Sequence, residues 1–419
     1  MKQCYSNVNP VELSIFANRI EAVCDEMGAA LQRAAFSPNI RDRLDYSCAV
    51  FDTHGELCAQ AAHIPVHLGS MAYAMRGIVE SVDWQDGDMV ILNDPYMGGT
   101  HLPDVTVIAP VYIKKKVLGF VANRAHHADI GAEQPGSMPL STSLQQEGLV
   151  IEPLKLVERG VINEAQLNRL MVSMRNPAES KGDFSAQIAA NRRGRNRLVE
   201  LIEQMGTKQY VNALAALNDY AEQLAISCFN EIPDGEYTFS DVLDDDGLGH
   251  ADIEIKARIV VTQGKVAVDF HGTSSQVPGN VNCPISVTAA AVFYVFRCLL
   301  PPQAPACAGS FRPISIAADN GSLLNANYPA AVAAGNVETS TRVVDVVLGA
   351  LALAIPEKIP AASHGSMNNL AMGASRDMAG QVWDYYETIG GGMGASSIAD
   401  GLDAVSYTHL TLPTTKAWG

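Results

Sequence analysis

Positive charge is scarce in this chain. Twenty-nine Lys and Arg stand against 45 Asp and Glu, a formal net charge of −16 over 419 residues. A polyanion would be repelled by that field, which argues against nucleic acid and acidic membrane surfaces as partners. Long hydrophobic runs are also missing. VTAAAVFYVF (287–296), among the longest, is too short to span a bilayer and fits a buried helix or strand. The opening residues, MKQCYSNVNPVELSIF, lack the basic and apolar regions of a secretory signal, so a cytoplasmic protein is expected. The eight cysteines include no CxxC pair, which leaves a cysteine zinc site without its spacing; they read as reduced and mostly buried. No G-x-x-x-x-G-K-[ST] occurs, so a phosphate-cradling loop is absent, and no G-x-S-x-G marks a serine-hydrolase elbow. GGGMGA (390–395) lacks the register of a dinucleotide site and reads as close backbone packing.

With 47% apolar residues, the chain can bury a sizeable core spread over two or three domains. Asn9 is placed to cap a helix with Pro10 at its first position, and Leu13, Phe16, Ile20, Val23, Met27 and Leu31 then form one apolar stripe. Short β-prone runs follow at 46–52 and 88–94, on either side of a three-histidine stretch and a helix over 68–80. The runs at 106–113 and 117–125 flank a lysine tip and predict a hairpin. Residues 130–160 read as one long ordered loop, and 162–229 as helices, with Arg192, Arg193 and Arg195 on an exposed face. From 234 the period changes to two, which predicts an antiparallel meander with DDDG and QG turns, the first a solvated turn. Helices are expected again at 284–300 and 340–354.

The expected fold is therefore α+β and multi-lobed: a mixed strand and helix lobe at 1–160 behind an N-terminal helix, a helical segment at 161–232, the meander at 233–320 and a Gly/Ala-rich lobe at 321–405. The last residues, SYTHLTLPTTKAWG (406–419), break with this style and read as a non-native tail on a truncated chain, making few contacts.

Two clusters carry the chemistry. NDPYMGGTHLPDV places Asp94, His101 and Asp104 around a Gly-Gly turn, and NRAHHADIG holds His126, His127 and Asp129. Each directly follows a β-prone run, where sites are commonly built. Imidazole with carboxylate is a ligand set for Zn, Mn or non-haem Fe. Turn aspartates and hydrogen-bonded core histidines are the alternative. Asp45, in RDRLDYS, is a third candidate carboxylate, its alternative being an ion pair with Arg41 or Arg43.

These motifs, RDRLDYSCAVFD, AAHIPVHLGSM, NDPYMGGTHLPDV and AHHADIGA, together with GDFSAQIAAN, GNVNCPISVT, RPISI, NYPAAVAAGNVETSTRVVD and ETIGGGMGA, resemble the B subunit of the hydantoinase/oxoprolinase family. The resemblance runs in order over residues 10–405. It implies a partner A subunit with an actin-like ATPase fold, which uses ATP that this chain does not bind. It implies a hetero-oligomer acting on the C–N bond of a small cyclic amide: 5-oxoproline, a hydantoin or caprolactam. In its other branch, such a pair carboxylates ketones such as acetone. The substrate's imidate or enol oxygen is phosphorylated by the partner, and a divalent metal in the B subunit then handles water or carbon dioxide. By the same resemblance the metal falls to His101, Asp104, His126 and Asp129, with Asp45 as an additional ligand. Asp94 and His127 take catalytic places beside it, orienting ligands or moving protons. A fragment that only binds the A subunit is the non-catalytic alternative.

Overall fold

The stripe Phe16, Ile20, Val23, Met27 and Leu31 is the buried face of helix α1 (Pro10–Ala34) in the computed structural model, which describes residues 9–62, 64–132, 134–374 and 383–403. Asn9 caps it by accepting the amide of Val11, and Pro10 opens its first turn. A short helix α2 (Pro38–Arg41) follows. The tail expected at 406–419 lies outside the described residues.

Seven strands then form one sheet, interrupted in sequence by helix α3 (Pro65–Ser81). They are β1 (Tyr46–Phe51), β2 (Leu57–Ala62), β3 (Met89–Leu92), β4 (Asp104–Ile113), β5 (Lys116–His126), β6 (Leu154–Glu158) and β7 (Val161–Ile162). Their order is β2-β1-β5-β4-β3-β6-β7, with every neighbouring pair antiparallel. Lys114 and Lys115 turn the β4–β5 hairpin with positive φ at both residues, the backbone that matches strand twist in a tight turn. The long loop expected over 130–160 is a loop only in part. LKLVE is apolar enough to pair with β3 and becomes β6.

The sheet is buried on both faces, and the pleat sorts its residues. Val50, Val105, Val107 and Val121 join α1 and the helices α4 (Glu164–Met171), α5 (Pro177–Met205) and α6 (Thr207–Phe229) in one core. Ala49, Phe51, Ile108, Phe120 and Ala122 face the other way. There they meet α3 and the meander β8 (Gly235–Asp245), β9 (Ala251–Thr262) and β10 (Lys265–Asp269), along with α7 (Ile285–Cys298). β11 (Ile314–Ala317) extends the meander in parallel, and α8 (Ser340–Ala352) covers it. The DDDG turn is solvated as expected except at Asp246, which is buried, with its carboxylate accepting the amides of Leu248, His250 and Gly279. The last described pair is the hairpin β12 (Asn369–Ala374) and β13 (Trp383–Thr388). Five of the seven described cysteines are buried, and all seven are free. No helix of the described residues is long and apolar enough to cross a membrane.

α5 meets the sheet through amides rather than apolar side chains alone. Asp183, Gln187 and Asn191 recur every fourth residue and so share one face. Asp183 accepts the amides of Phe36 and Ser37, Gln187 donates to the Val105 carbonyl at 2.9 Å, and Asn191 donates to the Val107 carbonyl at 2.9 Å. Gln187 also holds the ring of His127 at 3.0 Å. Gln187→Leu leaves the His127 ring buried without a hydrogen-bond partner among the described residues, while Val105 stays paired with Ala125 in the β4–β5 ladder. It should cost about 1–3 kcal/mol, the usual cost of one unpaired buried group. A urea midpoint unchanged from the parent would contradict this.

Candidate metal centre

Strand register builds the site. Asp104 opens β4 directly opposite His126, which closes β5, so both side chains leave the same face of the sheet side by side. Asp45 precedes β1 on the other side of β5, and its carbonyl accepts the His126 amide at 2.9 Å. His101 lies three residues before Asp104, after the turn that Gly98 makes with φ 98°. A Cβ at Gly99 would come within 2.6 Å of the Asn93 carbonyl oxygen, so the second glycine lets this turn fold tightly on itself.

Asp104 Oδ1 lies 3.4 Å from His101 Nε2 and 3.5 Å from His126 Nδ1. Its other oxygen faces His67 Nε2, from α3, at 3.4 Å and accepts the Thr100 hydroxyl. His101 Nδ1 donates to the Ala333 carbonyl at 3.2 Å, which leaves Nε2 as an acceptor aimed inward, where the Asn336 amide donates to it at 3.1 Å. His67 Nδ1 is fixed in turn by the Ser47 hydroxyl at 3.1 Å. Tyr386, from β13, stacks on His126 with ring centroids 5.9 Å apart, and the Arg43 guanidinium sits over the tyrosine ring. Behind the cluster Arg124 is fully buried, donating to Thr106, Ser70 and the Gly98 carbonyl.

His101, Asp104 and His126 form a group that could hold a metal ion, with their donor atoms within 4.8 Å of one another. Four-coordinate bonds of ~2.0–2.2 Å separate neighbouring donors by about 3.4 Å, the spacing found around Asp104 Oδ1. The cavity of about 20 Å³ suits one ion or water. On its walls, His126 Nε2 and Asn336 Oδ1 are buried without hydrogen-bond partners among the described residues. Two imidazoles and a carboxylate suit Zn, Mn or Fe and do not choose among them. Burial alone would raise the Asp104 pKa, yet the imidazoles of His101 and His67 hold it well below the usual range. Burial would lower that of His101, but Asp104 holds it above its ordinary 6.5.

The other residues expected at the metal are placed differently. Asp45 lines the cavity, 3.9 Å from His126 Nδ1, while Arg41 pairs with Asp42. Asp129 is turned away: its carboxylate accepts the amides of Gly131, Arg175 and Asn176 and braces the start of α5. His127 follows His126 and therefore points to the opposite face, against Gln187 and Phe184. Asp94 caps the turn Pro95–Met97 by accepting the Tyr96 amide. Sequence reasoning passed over His67, Asn336 and Tyr386. His67 stood in the three-histidine stretch that drew notice; Asn336 and Tyr386 arrive from more than 200 residues away with no local signal.

A second chamber of about 220 Å³ lies beside the first, lined by Tyr294, Asp345, His364, Gly391 and Met393 among others. Val66 borders both, and the small buried cluster of Ile64, Val66 and Ala290 forms the partition.

A family model described as Hydantoinase B/oxoprolinase matches residues 9–416. The chain is 40% identical to 5-oxoprolinase 1 of Arabidopsis thaliana over 96% of its own length and 33% of that protein's. It is 32% identical to the putative B subunit of a D-/L-hydantoinase from a Pseudomonas strain, covering 96% of this chain and 70% of the relative. Among solved structures, the ATP-dependent caprolactamase of Pseudomonas jessenii superposes with a TM-score of 0.88 at 28% identity, over 96% of this chain and 70% of that one. Acetone carboxylase shares the fold, with a TM-score of 0.84 at 18% identity over 96% and 56% of the two chains. The chain thus spans about a third of the 5-oxoprolinase and a little over two thirds of the caprolactamase.

Metal must displace protons from these ligands. Because Asp104 keeps His101 protonated to higher pH than usual, zinc affinity should rise as pH increases through neutrality, with release of about one proton per ion. Titration calorimetry in buffers of differing ionisation enthalpy measures this. Affinity independent of pH between 6 and 8 would contradict it.

Proposed function

The chain belongs to the hydantoinase B/oxoprolinase family, and on that premise we propose that it is the metal-holding B subunit of a cytoplasmic, ATP-dependent enzyme that opens a cyclic amide. The observation that carries this reading is the buried group His101, Asp104 and His126 in a cavity the size of one ion. ATP is handled by a partner ATPase subunit: the chain has no phosphate loop, and its relatives include the hydantoinase B subunit and an ATP-dependent caprolactamase. The proposed substrate is a lactam or imide, because the relatives at 28–40% identity carry names of cyclic-amide enzymes. Ketone carboxylation has only the shared fold in its favour.

Phosphorylation of the amide oxygen by the partner makes the ring carbon electrophilic. Water adds to that carbon, and the ring C–N bond breaks as nitrogen takes up a proton. The acyl phosphate left behind yields carboxylate and phosphate with a second water. His101, Asp104 and His126 would hold a divalent cation, which when bound would supply Lewis-acid polarisation. Asp45, on the cavity wall beside His126, is positioned to take the proton from the attacking water. His67 and Thr100 hold the second oxygen of Asp104, so the carboxylate cannot rotate away. Ile64, Val66, Met367 and Tyr386 give the cavity an apolar wall, and the larger chamber beyond Val66 offers room for the ring.

The test is turnover by the chain co-expressed with its partner ATPase on 5-oxoproline, hydantoin and acetone. Ring-opened product from a cyclic amide is expected, and His126→Ala should abolish it while leaving the melting temperature within a few degrees. Bicarbonate fixation onto acetone without ring opening would overturn the reading.

A further inference from the structure

Glu147 ends the turn Leu144–Glu147 and is fully buried. One of its oxygens, Oε1, accepts three hydrogen bonds: from the Ser141 hydroxyl at 2.8 Å, the Val332 amide at 2.8 Å and the Ala333 amide at 2.9 Å. Its other oxygen has no partner among the described residues. A buried carboxyl is an expensive way to hold a loop: burial pushes its pKa up to about 7 even though its hydrogen bonds to Ala333, Ser141 and Val332 pull the other way. The arrangement makes sense once the far side of Ala333 is considered. Its carbonyl is the group that accepts His101 Nδ1.

The segment from Pro329 to Asn336 carries no strand, so side chains and neighbouring backbone place it. Tyr96 donates to the Ala330 carbonyl, Asn282 to the Ala331 carbonyl, and the Leu144 amide to the Pro329 carbonyl. Further on, the Gly335 amide donates to the Asn280 carbonyl, and a Cβ at Gly335 would meet the Asn282 carbonyl oxygen at 1.9 Å. Among the described residues, only Glu147 accepts the amides of residues 332 and 333.

We propose that Glu147 is a positioning residue for the metal centre, acting through the Ala333 backbone to fix His101 as its Nδ1–H tautomer with Nε2 presented to the cavity. A metal-bound histidine usually donates its other N–H to a carboxylate or a carbonyl, and this chain would use both in series. Glu147 acts by position: its oxygen pins the Val332 and Ala333 amides and so fixes where the Ala333 carbonyl, in the next peptide unit, is aimed. The proposal rests on the metal-holding reading of His101, yet part of its test does not need metal.

Two readouts are taken on Glu147→Ala, which removes the acceptor of both amides. The first is the His101 tautomer by 15N NMR in the metal-free chain, read at a pH above the titration of the ring, where it is neutral. The parent should be the Nδ1–H form and the variant a mixture. The second is zinc affinity by chelator competition, which should fall about 10–100-fold, the usual cost of losing such an outer partner. An unchanged tautomer with affinity within threefold of the parent would make Glu147 a loop brace and overturn the proposal. If Glu147→Ala does not fold, the same readouts on Glu147→Asp decide, because its shortened side chain falls short of the two amides. A parent that binds no zinc sinks the metal reading, while the tautomer comparison still judges Glu147.

Discussion

Asp104 is a carboxylate with 1% of its surface exposed, set among three imidazoles and a threonine hydroxyl. An ionised group in such a place is tolerable only when every neighbour answers its charge. That need explains much of what surrounds it. His67 and Thr100 occupy one oxygen, His101 and His126 approach the other, and the buried guanidinium of Arg124 adds positive charge behind. Arg124 is itself pushed down to about 10 by burial, which Asp104 only partly offsets. Removing Asp104 would therefore strand several groups at once.

The geometry depends on register as much as on charge. Asp104 and His126 meet because the β4–β5 hairpin pairs them across a two-residue tip, and a slip by one residue would send one of them to the helical face. His127 already lies on that face, tied to Gln187, so α5 indirectly holds the hairpin in register. The remaining walls come from distant parts of the chain. Ala333 arrives on an irregular segment and Asn336 on the π-helical turn Gly335–Thr339 that follows it, and Tyr386 arrives on the β12–β13 hairpin, seated against Gly136, where a Cβ would come within 2.7 Å of its ring.

Much of the fold was legible because it follows local periodicity. The stripe of α1, the lysine-tipped hairpin and the meander each have a pattern of 3.6 or 2 and appear where expected. LKLVE was missed because five residues between Pro- and Gly-rich stretches carry too little pattern to outweigh their surroundings. At the site, Asp104 and His126 stood out as polar residues at strand ends. The pleat could also have separated His126 from His127, since neighbouring residues on a strand face opposite ways. Asp129 could not be assigned by spacing: a carboxylate two residues before a glycine reads the same whether it binds a cation or, as here, three backbone amides. Contacts such as those of Asn336 and Tyr386 exist only once the chain is folded.

The central claim is that one cation sits among His101, Asp104 and His126. Anomalous diffraction at the zinc edge from crystals grown with zinc tests it most directly. One peak per chain is predicted, within about 2.0–2.2 Å of a nitrogen of each histidine and an oxygen of Asp104. A structure from zinc-soaked crystals with no peak there, or with its strongest peak at residues outside this cluster, would contradict the account.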